Sequence, residues 1–164
     1  MAVCGGILLV IAAAVSLAAT DQIADLQARF DRENDAVRRA KLLEKLGDAQ
    51  FEKTRAAAGA NDYSTVGLVF EKYRDNVRVA LDALKKRRPD AERHSDGYRQ
   101  LEVNLRKGIR EVDDALLQAP DPYKPPLKLV RQDLGVMDDE VLQLLFPRRV
   151  KDQPKVPATE EKKP

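Results

Sequence analysis

A chain of 164 residues, 34% charged and 43% apolar, is long enough for one domain and too apolar to be disordered throughout. Its 29 basic and 27 acidic residues leave a net charge of +2, which removes the electrostatic case for nucleic acid, whose binders carry a basic face or a high domain pI. The single cysteine, Cys4, sits in an apolar N-terminal run, so loss of that run leaves neither disulfide nor thiolate chemistry.

Residues 1–20 carry no charge, and their most apolar part runs from Ile7 to Val15. Ser16-Leu17-Ala18 follows, with small residues at the first and third positions, which fits signal-peptidase cleavage after Ala18. The expected organisation is a signal peptide over 1–18, a helical domain over 19–146 and a disordered basic, Pro-rich tail over 147–164. An uncleaved inner-membrane anchor over 1–20 is the alternative, since the whole uncharged run approaches the ~20 residues of a spanning helix. Met1-Ala2-Val3 lacks the basic start of a signal peptide, so a Lys/Arg-bearing stretch is expected upstream. The expected location is periplasmic or secreted.

The first helix is expected from Thr20 or Asp21. Ile23, Leu26, Phe30, Val37, Ala40, Leu43 and Leu46 recur at threes and fours, with Glu33 interrupting once. The pattern extends through Phe51 to Ala58, a single helix of about 57 Å at ~1.5 Å per residue, with Gly47 as the place for a bend. Gly59-Ala60-Asn61-Asp62 reads as a stop and restart: Gly59 takes the left-handed conformation, and Asn61 or Asp62 caps the next helix. The second helix, about 63–88, has the cleanest seam, Val66, Phe70, Tyr73, Val77, Ala80 and Leu84. Lys85-Lys86-Arg87-Arg88 closes it and Pro89 stops it.

A third helix, about 96–118, carries Tyr98, Leu101, Leu105, Ile109, Val112 and Leu116. Four prolines between Ala119 and Pro126 break all helix. The fourth helix, 126–146, opens at Pro126 and carries Leu127, Val130, Leu134, Met137, Val141 and Leu144. With no strand alternation, the expected fold is all-α: a long helical hairpin over 20–88 and two further helices in an antiparallel bundle of about four.

Leu46-Gly47-Asp48-Ala49-Gln50-Phe51, Asn61-Asp62-Tyr63-Ser64-Thr65-Val66 and Phe70-Glu71-Lys72-Tyr73 resemble parts of a tetratricopeptide repeat. Asp62 falls fifteen residues after Gly47, two helical turns later than that repeat places its turn, and no ~34-residue recurrence follows. The chain is better likened to the longer helical hairpins of uncharacterised exported bacterial proteins, with a signal segment, a charged hairpin and a basic Pro-rich tail. That likeness implies no activity.

The residues offer little catalytic chemistry. His94, the one histidine, lies in a polar link beside Glu92 and Asp96, without clustered metal ligands. Ser95 adjoins it with no third partner in the sequence. Asp138-Asp139-Glu140 and Asp113-Asp114 point in different directions on a helix and read as solvated faces. No phosphate-cradling or calcium-loop motif occurs, and no cofactor is expected. The densest basic run, Lys85, Lys86, Arg87 and Arg88, is the candidate contact to an anionic surface, beside its plain role in ending a helix. These residues describe an exported, non-enzymatic helical module that binds another protein or the envelope surface. The alternatives are an enzyme or small-ligand binder using carboxylates inside the bundle, or an adaptor at the membrane through the basic run.

Overall fold

The computed structural model describes residues 22–147, which are helical throughout apart from short connections and contain no strand. Helix α1 covers 22–32, α2 Ala36–Gly59, α3 Tyr63–Arg87, α4 Ser95–Gln118 and α5 Lys124–Leu145, with a 3-10 turn at Asp121–Tyr123. The expected signal peptide, and the expected tail beyond Pro147, lie outside the described residues. No helix among the described residues is long and apolar enough to cross a membrane.

Five helices replace the expected four because the long first helix breaks at Glu33-Asn34-Asp35. The Asp35 carboxylate accepts from the Arg38 N–H at 2.8 Å and starts α2, while the Glu33 carboxylate accepts from the Asp35 N–H at 2.8 Å. Glu33, the one interruption in the apolar stripe, marked the true break. Gly47 instead sits inside α2, where a Cβ would stand only 3.0 Å from the Tyr73 ring. At the next turn the left-handed residue is Asn61 (φ 59°), not Gly59, and Asp62 caps α3 by accepting from the Thr65 N–H at 3.1 Å. The proline segment does not exclude helix either: α5 begins at Lys124, with Pro125 and Pro126 in its first turn, where absent N–H groups remove no helical bond.

The stripes become the core. All six seam residues of α3 are buried, as are Leu101, Leu105 and Val112 of α4 and Leu127, Val130, Leu134 and Val141 of α5. Each such side chain contributes roughly 1.5–3 kcal/mol. Helix α2 packs on α3 and α4, α5 packs on α4 and α3, α3 touches α4, and α2 does not reach α5.

Two polar ladders give the direction of packing. Gln100 to Glu44 (3.1 Å), Lys107 to Asp48 (2.5 Å) and Arg55 to Glu111 (2.7 Å) join α2 to α4. Arg78 to Asp133 (3.3 Å) and Lys85 to Glu140 (2.7 Å) join α3 to α5. Residue numbers climb together across both ladders, so these two pairs of neighbours run parallel. A bundle whose neighbours are all antiparallel contains no such pairs. Short links fold α2 back on α3 and α4 back on α5, and one hairpin then lies on the other in the same sense.

Tyr73 locks this arrangement. It is buried between α2 and α4, its ring centroid 4.8 Å from that of Phe51, and its hydroxyl donates to the Asn104 carbonyl at 2.6 Å. Burial pushes its phenol far above the ordinary tyrosine range. Helix α1 is held by apolar burial of Leu26 and Phe30 and by an amide pair: Gln27 donates to Asn76 at 3.1 Å and Asn76 donates back at 2.9 Å.

Candidate functional site

The break between α1 and α2 leaves a concavity at the elbow. The backbone turns at Glu33, whose carboxylate also accepts from the Arg38 guanidinium at 3.1 Å. The Arg39 guanidinium donates to the Glu33 carbonyl and lies over the Phe30 ring, 5.7 Å from its centroid. These contacts fix the angle of the elbow. The Asp35 N–H, chiefly, and the Arg38 guanidinium hold the Glu33 carboxyl below the usual carboxylate range; the Arg38 N–H does the same for Asp35.

Beside the elbow lies a cavity of about 810 Å³, formed by the last turn of α1, the first half of α2 and Gln100 of α4. That volume falls within the ~300–1,000 Å³ of ligand clefts. Five cations line it (Arg29, Arg32, Arg38, Lys41 and Lys45) against two carboxylates, Glu33 and Glu44. Glu33 is ion-paired with Arg38, while Glu44 accepts from the neutral Gln100 amide and keeps its charge. Arg29 approaches Asp25 loosely, at 3.8 Å. Arg32, Lys41 and Lys45 have no ion-pair partner among the described residues, as is also true of Lys72, Lys86, Arg110 and Lys128 elsewhere on the surface; what sets the cavity apart is five cations against two carboxylates. Arg38, Lys41 and Lys45 stand at helical spacing along α2, a row about 10 Å long at ~1.5 Å per residue. Leu42 supplies apolar surface, and no aromatic side chain lines the cavity. The chemistry on offer is recognition of negative charge.

The four residues of the basic run at 85–88 sit in different surroundings. Lys85 pairs with Glu140 at 2.7 Å and approaches Asp82 at 3.7 Å; the Glu140 hydrogen bond holds its ammonium above the ordinary lysine range. Lys86 and Arg87 are exposed, and Arg88 is half-buried at the helix end, where its carbonyl accepts from the Tyr98 hydroxyl at 3.0 Å. Arg88 joins Asp35, Val37, Arg93, His94, Ser95 and Asp96 around a smaller hollow of about 300 Å³. His94 and Ser95 thus share a hollow, but no hydrogen bond joins them.

Among the acids, Asp113 is paired with Arg131 at 3.0 Å, while Asp114 and Asp139 are exposed. Asp138 differs. It is half-buried, its Oδ1 has no partner, and desolvation raises its carboxyl pKa; Arg106 opposes this, and Glu102 and Asp139 add to it. Glu102 itself is engaged by Arg106. No group of His, Cys, Asp or Glu able to hold a metal ion gathers among the described residues.

The elbow cavity did not stand out in the sequence. Its cations recur every three to six residues, as on any solvated helix face, and only the fold shows which of them share one concavity. The chain matches no protein-family model, and no curated protein and no solved structure is similar to it.

Proposed function

We propose that this chain is an exported, non-enzymatic helical protein that holds another protein through the cavity at the α1–α2 elbow. Its architecture on this reading is two antiparallel hairpins stacked in register, with α1 laid against the first of them. The observation that carries the reading is the charge of the cavity: five cations line it against two carboxylates, of which Glu33 is ion-paired with Arg38. Such a surface attracts and orients an anionic partner. It offers no nucleophile beside a base. Asp138 is the single feature that favours carboxylate chemistry inside the helices, and it lines none of the cavities described above.

A photocrosslinking residue at Asn34, on the cavity rim, tests the reading in the native cell, with one at Lys128 on α5 as the control. The expected result is a crosslinked polypeptide from position 34 and not from 128. Equal crosslinking at both positions, or none at 34, overturns it.

A further inference from the structure

Resting on that reading, we infer that the segment of the partner seated in the cavity is an acidic peptide, its carboxylates spaced along one face and met by Arg32, Lys41 and Lys45. The cations are spread in a row along α2 rather than converged on one point, so they suit several anions in a line. Arg38 presents part of its guanidinium to Glu33 and extends the row at its upper end. Guanidinium groups of Arg29 and Arg32 on the α1 side face this row across the cavity, offering forked donors that match carboxylates. Leu42 between them takes the methylenes of a Glu or Asp side chain.

Other anionic partners fit less well. A bilayer surface offers headgroup charge but nothing that enters the concavity between α1 and α2. A single strand of nucleic acid gains most from stacking on aromatic rings, and the lining has none. A lone phosphate gains from donors converging on one centre, and here Lys41 and Lys45 stand a full turn apart. The contacts are exposed and individually weak, so useful affinity needs several at once. An acidic helix presents carboxylates at the same three- and four-residue spacing.

The test uses the full chain and fluorescence anisotropy. The probe is a labelled peptide of about fifteen residues built from Glu and Ala, long enough to be helical on docking. Comparators are the same peptide with Gln for Glu, inorganic phosphate, a single-stranded oligonucleotide, and vesicles containing an anionic phospholipid. We expect the Glu peptide to bind, the Gln peptide not to, and affinity to fall as salt rises. Lys41→Glu with Lys45→Glu should weaken binding roughly tenfold or more, and Lys72→Glu on α3 should leave it unchanged. Circular dichroism of each variant confirms the helices are intact, and Lys41→Gln with Lys45→Gln gives an intermediate loss without introduced repulsion. No binding of the Glu peptide, loss of binding in none of the cavity variants, or tighter binding of oligonucleotide, phosphate or vesicles overturns the inference. Its failure is separable from that of the wider reading: crosslinks from Asn34 that survive charge reversal at 41 and 45 leave a protein partner in place and remove its acidic character.

Discussion

Gly108 and Gly67 are both glycines inside helices, and the structure predicts that alanine at the two positions has opposite effects. A Cβ at Gly108 would stand 2.3 Å from Tyr73 Cε1 and 2.8 Å from its Cζ and hydroxyl oxygen. Comfortable carbon contacts are about 3.5–4.0 Å, so the ring must retreat by more than about 1 Å. It has nowhere to go, because on its other side it lies against Gly47, where a Cβ would be only 3.0 Å from Cε2, and against Phe51. Overpacking of this kind costs about 1–3 kcal/mol, and this site belongs at the upper end. Displacing the ring also breaks the hydroxyl bond to the Asn104 carbonyl, worth roughly 1 kcal/mol. Alanine returns about 1 kcal/mol of helix propensity, leaving a net loss of about 2–3 kcal/mol. Gly67→Ala meets nothing within 4 Å and keeps the propensity gain of about 1 kcal/mol. Urea unfolding followed at 222 nm measures both, and thermal midpoints should move in opposite directions, Gly108→Ala falling by roughly 10 °C. If Gly108→Ala is as stable as Gly67→Ala, the close approach of α4 to Tyr73, and with it the seating of one hairpin on the other, is wrong.

Asn76→Ala removes the buried half of the amide pair to Gln27; we expect a loss of about 1–3 kcal/mol, with hydrogen exchange in α1 rising before that in α4 and α5. Glu33 and Asp35 have folded pKa values below their ordinary 4.5 and 3.8, so their contribution is complete above those values and is lost as pH falls through the depressed ones. Acidification from about pH 5 should therefore loosen the elbow first, read as faster exchange at 33–38, and Glu33→Gln with Asp35→Asn should flatten that dependence. Asp138 has the opposite sign: its raised pKa makes ionisation unfavourable in the fold, so stability declines as pH rises from the ordinary 3.8 through the raised value. Asp138→Asn should raise the thermal midpoint at neutral pH and leave it unchanged well below pH 3.8; a lower midpoint at neutral pH would mean that the Asp138 carboxylate has a partner after all.

How much of this was legible depends on whether a feature is local or needs two distant segments. Apolar periodicity found α3, α4 and α5 to within two residues, because burying a stripe is a property of one helix. The break at 33–35 was visible as the intrusion of Glu33, but its weight was misjudged. An acidic residue in an apolar stripe and a glycine such as Gly47 both suggest interruption, and which one wins depends on the partner each finds. Glu33 finds the Asp35 N–H and Arg38, whereas Gly47 finds the ring of Tyr73, 26 residues later in the chain. Nor do the prolines at 125 and 126 end anything, since the first turn of α5 has no use for their missing N–H groups. The parallel sense of α2 with α4 was beyond reach, because short links constrain only successive helices.

The same distinction explains why the cavity is where it is. Within the stack, polar side chains on α2, α3, α4 and α5 are drawn into two ladders, because a neighbouring helix runs alongside at matching height. The ladder cations Arg55, Arg78, Lys85 and Lys107 find carboxylates 55 to 59 residues away. Helix α1 ends at Arg32, and its last turn lines the cavity together with the first half of α2. Arg38, Lys41 and Lys45 line it opposite Arg29 and Arg32. Of the two acids nearby, Glu33 holds the elbow and Glu44 accepts from the neutral Gln100 amide, which leaves the cations in excess. The excess of positive charge there comes from cations that α1 and α2 bring to one concavity, a juxtaposition set by the angle at Glu33-Asn34-Asp35.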